Sequence, residues 1–249
     1  MAEPALRAEK LVKSYGDTIA LRGLSLRVQP GEIYGLIGPN GAGKTTTLKI
    51  IAGLLKPDMG RVWIYGVDLL RERERALRNI CYIPENPYIF RRLTVLQFIR
   101  MVVELRGMDW AEVKDYVDHL LSAFNLEAKK NTEVRKLSRG MIQKTLATAC
   151  FAVKPRLMVM DEPMAGMDPE AQHVFKEEVR RLTSAGSAAI ISSHVLDMVE
   201  RFCTRIGLIN NGRLLAEGTV EELKREARAG TLEDAFLRMI RGLSLLGRG

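Results

Sequence analysis

The chain has 249 residues, of which 47% are hydrophobic and 27% charged, a composition typical of a folded globular protein. Lys and Arg outnumber Asp and Glu by 38 to 30, and this net charge of +8 would suit an anionic ligand, nucleic acid or an acidic membrane surface. No block of five basic residues occurs and aromatic residues are only 6%, so no dedicated nucleic-acid surface is predicted. No apolar stretch approaches the about 20 residues of a membrane-spanning helix and no signal peptide is recognisable, which predicts a cytoplasmic protein.

The N-terminal third predicts an antiparallel region followed by the start of a parallel sheet. Residues 6–28 alternate between apolar runs and polar turns, as antiparallel strands around the turn Tyr15-Gly16-Asp17 would. A buried strand is predicted at residues 33–37, and a helix from Lys44 to Leu55 follows the glycine-rich loop after it. Further strand-like runs lie at residues 61–65 and 80–83.

A helical period begins at Thr94 and continues to about Ala152. Its apolar residues form two stripes, which are Leu96, Ile99, Val102, Val103 and Leu105, then Val113, Val117, Leu120, Leu121 and Phe124. Because this block carries no strand signal, we predict a helical subdomain at about residues 87–152 that is inserted into the rest of the fold.

Strands and helices alternate again after the helical block. An apolar run at residues 157–160 precedes a helix after Pro169, and a hairpin is predicted around Asn210-Asn211-Gly212. This alternation predicts an α/β fold with a mainly parallel, covered sheet, to which the N-terminal strands add an antiparallel β subdomain. Residues 227–249 are predicted to form a C-terminal helical tail.

The loop after the buried strand at residues 33–37 matches the pattern G-x-x-x-x-G-K-[S/T], between a strand and a helix as a phosphate-binding loop requires. Its glycines let backbone N–H groups reach phosphate oxygens without Cβ clashes, and the helix adds its positive N-terminal end. Lys44 would neutralise the β- and γ-phosphates, and the Thr45 hydroxyl would bind Mg²⁺. The predicted ligand is MgATP, with contacts from Gly38, Pro39, Asn40, Gly41, Ala42, Gly43, Lys44, Thr45 and Thr46.

Two carboxylates, Asp161 and Glu162, follow the apolar run at residues 157–160. The carboxyl end of such a strand lies at the sheet edge where α/β folds bind ligands. Alone, this pair would more often be a solvated strand end, but together with a phosphate loop it predicts chemistry. Asp161 would hold Mg²⁺ through water, and Glu162 would orient or deprotonate the attacking water.

Further motifs occur in a fixed order along the chain, around the phosphate loop and the Asp161-Glu162 pair. Leu137-Ser138-Arg139-Gly140-Met141 resembles the signature LSGGQ, Met164-Ala165-Gly166-Met167-Asp168 resembles a D-loop, and His194 resembles a switch histidine. Tyr15 lies where an adenine-stacking aromatic residue would lie. Over roughly residues 5–225 the chain resembles the nucleotide-binding subunits of ATP-binding cassette (ABC) transporters.

The resemblance implies a P-loop NTPase core, the ABC ATP-binding domain, over residues 1–226. The catalytic residues that it implies are Lys44, Glu162 and His194. The metal ligands that it implies are Thr45, Glu85 and Asp161. The nucleotide contacts that it adds to the phosphate loop are Tyr15, Ser138, Gly140 and Asp168. It further implies a head-to-tail dimer in which the phosphate loop of one subunit faces the Ser138 helix of the other.

Two departures from the family pattern stand out. The signature has Arg139 and Met141 where Gly and Gln are usual, and Glu85 occupies the position of the Q-loop glutamine. Glu85 can still offer an oxygen to Mg²⁺, with an added negative charge. Both departures resemble those of ABC-2 type exporters, whose ATPase is a separate polypeptide.

The function implied is therefore an ATP-hydrolysing subunit that powers a transporter through a separate integral membrane permease. The transporter is expected to be an exporter. The permease would dock around Glu85 and residues 86–106, where Phe90, Arg91 and Arg92 are candidate contacts. The subunit would lie at the inner face of the cell membrane and form a homodimer on ATP binding, and no nucleic-acid partner is expected. The alternative is a soluble ABC-type ATPase that acts on nucleic acid or ribosomes. An inactive nucleotide-binding module is disfavoured because the catalytic residues are present.

Overall fold

Two β-sheets build the framework of the computed structural model, which describes residues 3–87 and 90–246. Residues 1–2, residues 88–89 of the predicted docking segment and residues 247–249 of the predicted tail lie outside the described residues. In chain order the strands are β1 (Leu6–Tyr15), β2 (Thr18–Val28), β3 (Ile33–Ile37), β4 (Met59–Ile64), β5 (Val67–Asp68), β6 (Ile80–Ile83), β7 (Leu157–Asp161), β8 (Ala188–Ser193), β9 (Arg205–Asn210) and β10 (Arg213–Gly218).

The larger sheet has the order β10–β9–β3–β8–β7–β6, and all its strands are parallel except β10. The smaller sheet has the order β2–β1–β4–β5 and is antiparallel. The predicted α/β fold, with its mainly parallel sheet and antiparallel β subdomain, is therefore confirmed.

Helices cover the larger sheet and fill the interval between β6 and β7. They are α1 (Lys44–Ile51), α2 (Arg73–Leu77), α3 (Val95–Leu105), α4 (Trp110–Ala123), α5 (Arg139–Ala152), α6 (Pro169–Ser184), α7 (Leu196–Phe202), α8 (Val220–Glu226) and α9 (Leu232–Leu246). Helices α3, α4 and α5 follow one another with only 3₁₀ turns between α4 and α5. The inserted helical block is thus present, while the exact domain limits stay a prediction.

Side-chain caps set where the helices of this block begin. Thr94 and Gln97 form a reciprocal capping box at the start of α3. Asp109 accepts the Ala111 N–H at the start of α4, and Ser138 caps α5. These residues satisfy N–H groups that have no partner inside the helix, so each helix starts at a defined residue.

The larger sheet separates two hydrophobic cores, because alternate residues of its strands point to opposite faces. Ile33 and Ile37 of β3 join the core shared with α3 to α8. Tyr34 and Leu36 join the core shared with α1 and the smaller sheet. The strands of this sheet are buried on both faces, which explains why their sequences are near-continuous apolar runs.

Two details of the helix predictions were wrong. Helix α1 ends at Ile51 and not at Leu55, because Gly53 adopts a left-handed φ of 70° directly after the C-cap Ala52. Leu105 does not join the apolar stripe of α3, since its exposed fraction is 77%. Six residues beyond Ile99 is a rotation of about 240° around the helix, which carries Leu105 to the solvent side.

The predicted hairpin between β9 and β10 is confirmed. Its turn residues Asn211 and Gly212 both have positive φ, 47° and 73°, as a two-residue type I′ turn requires. Within residues 3–87 and 90–246, no helix has the length and hydropathy to cross a membrane.

Phe151 provides a test of how the helical block is joined to the sheet. Its ring lies 6.5 Å from that of Phe124 on the α4 side and 5.4 Å from that of Phe175 on α6. Phe151→Ala should lower the free energy of unfolding by about 3–5 kcal/mol, because it leaves a cavity between two buried rings. Urea unfolding measures this, with Phe90→Ala as the matched control because Phe90 is 64% exposed. Equal losses for the two variants would contradict the assigned packing.

Candidate active site

A cleft of about 590 Å³ opens at the carboxyl edge of the larger sheet. The ends of β3, β7 and β8 meet there, because Leu36 and Asp161 both pair with Ser192 in the parallel registers. Eleven of the residues predicted from the sequence line the cleft, namely Asn40, Gly41, Ala42, Gly43, Lys44, Thr45, Thr46, Glu85, Asp161, Glu162 and His194. The sheet register therefore brings motifs from distant parts of the chain together.

Two glycines of the phosphate loop are required by its geometry. A Cβ on Gly38 would lie 2.2 Å from the carbonyl oxygen of Ile209. Gly43 has a φ of 108°, and a Cβ there would lie 2.8 Å from the carbonyl oxygen of Ala20. The loop is thus held against β2 and β9 at a distance that only glycine permits. Pro39, Asn40 and Gly41 are exposed, so the outer side of the loop is open to a ligand.

Lys44 lies beneath the loop with an exposed fraction of only 8%. Its Nζ donates to the carbonyl oxygens of Gly38 and Pro39 at 2.7 and 3.1 Å. Burial lowers the pKa of Lys44, against the opposing effect of the carboxylates of Glu162, Asp161 and Glu85. Helix α1 begins at this residue with no acidic side chain in its first turn and no side-chain cap. Its N-terminal N–H groups and the ammonium therefore form one positive end facing the cleft.

The carboxylates at the end of β7 are held by Ser192 on the neighbouring strand. The Ser192 hydroxyl donates to Asp161 Oδ1 at 2.5 Å and accepts the backbone N–H of Glu162 at 3.1 Å. Asp161 is 2% exposed, and Glu162 has a left-handed φ of 45°. A non-glycine residue in this region is strained, and such strain occurs most often at functional sites.

His194 contacts Glu162 directly. Its Nδ1 lies 2.7 Å from Glu162 Oε1, and the histidine side chain is 65% exposed while that of Glu162 is 15% exposed. An exposed imidazole that orients a shielded carboxylate is an arrangement suited to holding a general base in position.

Ser138 and Gly140 of the signature lie together outside the cleft wall, whereas Arg139 between them lines it. Ser138 is exposed and accepts the Met141 N–H at 3.3 Å. Gly140 is buried, and a Cβ there would lie 2.1 Å from the carbonyl oxygen of Gly166. Asp168 caps α6 through the Ala171 N–H. The start of α5 is therefore packed on the predicted D-loop.

An ion pair between a buried lysine and a half-exposed aspartate adds to this packing. Lys144 Nζ lies 2.6 Å from Asp168 Oδ2, and the lysine side chain is 9% exposed. The hydrogen bond from Lys144 lowers the pKa of Asp168, which favours the ionised carboxylate. Sequence reasoning did not single out Lys144, because its partner is 24 residues away and no local pattern marks the contact.

Tyr15 ends β1 with a 51% exposed side chain, and the Lys13 ammonium lies 6.0 Å from its ring centroid. Like Gly38, Pro39, Ser138, Gly140 and Asp168, it is not part of the cleft wall. The assigned roles of these residues, and of those in the wall, remain predictions.

Two of the three residues that depart from the family pattern, Glu85 and Arg139, meet at the cleft. Arg139 Nη2 lies 3.6 Å from Glu85 Oε1 and 3.5 Å from the Glu85 carbonyl oxygen. Fully buried Gln143, one turn along α5, donates to the carbonyl oxygens of Pro84 and Glu85 at 3.0 and 3.2 Å. The start of α5 is thus joined to the loop after β6.

The residues fit a hydrated Mg²⁺ and not a metal enclosed by protein. No group of three or more His, Cys, Asp or Glu side chains that could enclose a metal is found in the described parts of the chain. Mg²⁺ usually keeps several waters and takes one or two carboxylates plus substrate phosphates. Tyr82 supports this, because its buried hydroxyl has no hydrogen-bond partner within the described residues. Burial and the carboxylates of Asp161 and Glu85 raise the pKa of Tyr82, which leaves the hydroxyl protonated as a donor.

Comparisons with known proteins agree with the site. A family model described as ABC transporter matches residues 21–165. The Nod factor export ATP-binding protein I of Paraburkholderia xenovorans (strain LB400) is 35% identical over 223 residues, which are 90% of this chain and 73% of that protein. The daunorubicin/doxorubicin resistance ATP-binding protein DrrA of Streptomyces peucetius is 34% identical over 228 residues, 92% of this chain and 69% of that protein. A solved ATP binding subunit of an ABC transporter matches with a TM-score of 0.90 at 32% identity, over 95% of this chain and 99% of that chain. The chain belongs to the ABC transporter family.

This ABC subunit therefore binds and hydrolyses ATP as the nucleotide-binding part of a transporter. The predicted family and fold are confirmed. The alternative of a soluble ATPase acting on nucleic acid or ribosomes is not supported, since the two relatives are named as ATP-binding proteins of export and resistance.

Ser192 is a site residue that the sequence did not reveal, because its role depends on the pairing of β8 with β7. Ser192→Ala should lower ATP turnover by roughly 10- to 100-fold, the range typical of residues that support a metal-site carboxylate. The variant frees Asp161 and leaves the Glu162 N–H without its acceptor. Steady-state hydrolysis measures the effect, with Ser187→Ala as the control, since Ser187 lies just before β8 and donates to Pro155 at 2.8 Å. Equal turnover in the two variants would remove Ser192 from the site.

Proposed function

We propose that the chain is the ATPase subunit of an ABC exporter of the ABC-2 type, that it works as an ATP-dependent head-to-tail pair, and that it drives a separate membrane permease. The observation that carries this proposal is that the predicted nucleotide-binding residues of one chain lie in two separate places. Lys44, Asp161, Glu162 and His194 line the cleft, whereas Ser138, the N-cap of α5, is exposed and outside its wall. A second copy would supply this free helix start to the open side of the phosphate loop.

The cleft residues have separate tasks in hydrolysis. Lys44 and the N–H groups of the phosphate loop and α1 hold the β- and γ-phosphates. Glu162 accepts the proton of a water that attacks the γ-phosphorus, while the bond from that phosphorus to the ADP oxygen breaks. His194 keeps the Glu162 carboxylate in position through the 2.7 Å contact.

Mg²⁺ would be held by the Thr45 hydroxyl and by Asp161, with Glu85 as a further oxygen ligand. When bound, it neutralises charge on the phosphate oxygens. The donors that this chain offers beside it are the Ser192 hydroxyl on Asp161 and the unpartnered Tyr82 hydroxyl.

The export assignment follows from the relatives, which are named for Nod factor export and for daunorubicin/doxorubicin resistance. A permease would dock on residues 86–106 beside Glu85, where Phe90 is 64% exposed and Arg91 and Arg92 are also exposed. A subunit docked in this way would lie at the cytoplasmic face of the membrane. The proposed domains are an ATP-binding domain over residues 1–226, with its helical subdomain at about 87–152, and a tail at 227–249. Leu232 and Ala235 of α9 are buried.

Glu162→Gln tests the catalytic assignment and the pairing together. The amide keeps the shape of the side chain and cannot accept a proton, so turnover should fall by roughly 10²- to 10⁴-fold. With MgATP the variant should form a stable dimer, because the γ-phosphate that bridges the two copies is no longer removed. Sedimentation velocity with and without MgATP measures this.

Adding Lys44→Ala to that variant provides the control, since it removes the phosphate-binding ammonium and should keep the chain monomeric. Undiminished turnover in Glu162→Gln would reject Glu162 as the base. A Glu162→Gln chain that stays monomeric at saturating MgATP would reject the proposed pairing.

A further inference from the structure

Glu85 and Arg139 are separated by 54 residues in the chain but touch at the cleft. Glu85 follows β6, and Arg139 is the first residue of α5. Both line the cleft, and the guanidinium approaches both the carboxylate and the carbonyl oxygen of Glu85. Within the described parts of the chain neither side chain has another ion-pair partner within 4.0 Å.

The two departures leave the net charge of the cleft unchanged. A Gln and a Gly would contribute no charge at these positions, and a Glu with an Arg also sum to zero. Glu85 alone would add one negative charge to the cleft, and Arg139 alone would add one positive charge. Without Arg139, the cleft would hold the three carboxylates of Glu85, Asp161 and Glu162 against the Lys44 ammonium. An anionic triphosphate would then meet one more negative charge at short range.

The contact itself contributes little to folding. The Arg139 and Glu85 side chains are 54% and 43% exposed, and exposed ion pairs at such distances have small effects on stability. The backbone of this joint is instead held by buried Gln143, which donates to the carbonyl oxygens of Pro84 and Glu85. Arg139 is therefore free to change partner while the backbone at Glu85 stays attached to α5.

We infer that Arg139 is a nucleotide-sensing residue which exchanges the Glu85 carboxylate of its own chain for the γ-phosphate bound by a second copy. This inference rests on the proposed pairing and deepens it. In the ATP-free subunit Arg139 neutralises Glu85. When two copies close on ATP, the triphosphate attracts the guanidinium, and the released Glu85 carboxylate becomes available to Mg²⁺. After hydrolysis the γ-phosphate leaves and the pair within the chain re-forms.

The exchange requires Glu85 and Arg139 to act as a unit, which a double-mutant cycle measures. The cycle is made in the Glu162→Gln chain and comprises Glu85→Gln, Arg139→Gly and the double variant. The measured quantity is the ATP concentration at half-dimerisation in Mg²⁺, obtained by sedimentation velocity. Calorimetric ATP affinity with and without Mg²⁺ gives a second readout.

Arg139→Gly alone should raise the half-dimerisation concentration about tenfold or more, because Glu85 is left uncompensated. The double variant should recover part of that loss but not all of it, since the neutral pair restores the balance of charge while the contact of Arg139 with the γ-phosphate stays absent. Arg139→Lys, which keeps the charge, should also stay within about threefold. Added salt should reduce the Arg139→Gly defect, because screening weakens charge repulsion, whereas a packing defect would not respond.

A matched cycle on Glu72→Gln and Arg75→Gly is the control, since these exposed side chains pair at 2.8 Å on α2, outside the cleft wall. It should show no coupling. Urea unfolding should give similar midpoints for all the Glu85 and Arg139 variants, which excludes misfolding as the cause.

A double variant whose effect equals the product of the single effects would overturn the inference. If the double variant gave that result while the Glu162→Gln parent still dimerised with MgATP, only the exchange would be rejected and the proposed function would stand. A parent that stays monomeric would reject the pairing, and the exchange with it.

Discussion

The alignment of β3, β8 and β7 is the constraint on which the site depends. Leu36, Ser192 and Asp161 lie in one row across the sheet, so the phosphate loop, His194 and Glu162 all leave the sheet at the same edge. That row is fixed by burial on both faces, since a slip of one residue would move Ile33 and Ile37 to the opposite core. The geometry of the cleft therefore depends on core packing, and a core substitution in these strands would displace the predicted catalytic groups as well as lower stability.

Helix α5 links that core to the cleft. Near its C-terminal end Phe151 lies between the rings of Phe124 and Phe175, while its first residue reaches the cleft wall. Between these ends Gln143 holds the loop after β6 and Lys144 holds Asp168. Because one helix carries all these contacts, it joins the cleft wall, the loop at Glu85 and the predicted D-loop. Each of these contacts can be removed alone, which makes any coupling between them measurable.

Sequence could predict those parts of the site whose signal is contiguous. The phosphate loop, the Asp161-Glu162 pair and His194 are each marked by a strand that ends in polar residues, and the fold class follows from the order of elements. The contact of Arg139 with Glu85, and those of Ser192 and Lys144, join residues 54, 31 and 24 positions apart and need the tertiary register. The predicted end of α1 lay too far along the chain, because the sequence does not show that Gly53 adopts a left-handed φ. Short α2 and β5 give too few residues for a period to be recognised.

The signature motif illustrates how a structural requirement and a functional one can fall on adjacent residues. Gly140 must be glycine in this fold whatever it binds, since the Gly166 carbonyl oxygen occupies the space of a Cβ. Its presence is therefore weak evidence of a phosphate contact. Arg139, one residue earlier, is 54% exposed by its side chain and meets no such limit. The structure therefore permits a charged side chain at position 139, and the Glu85 carboxylate gives Arg139 its partner. Arg139 thus departs from the family pattern where the backbone tolerates a side chain, and it lies in contact with Glu85, which departs from that pattern as well.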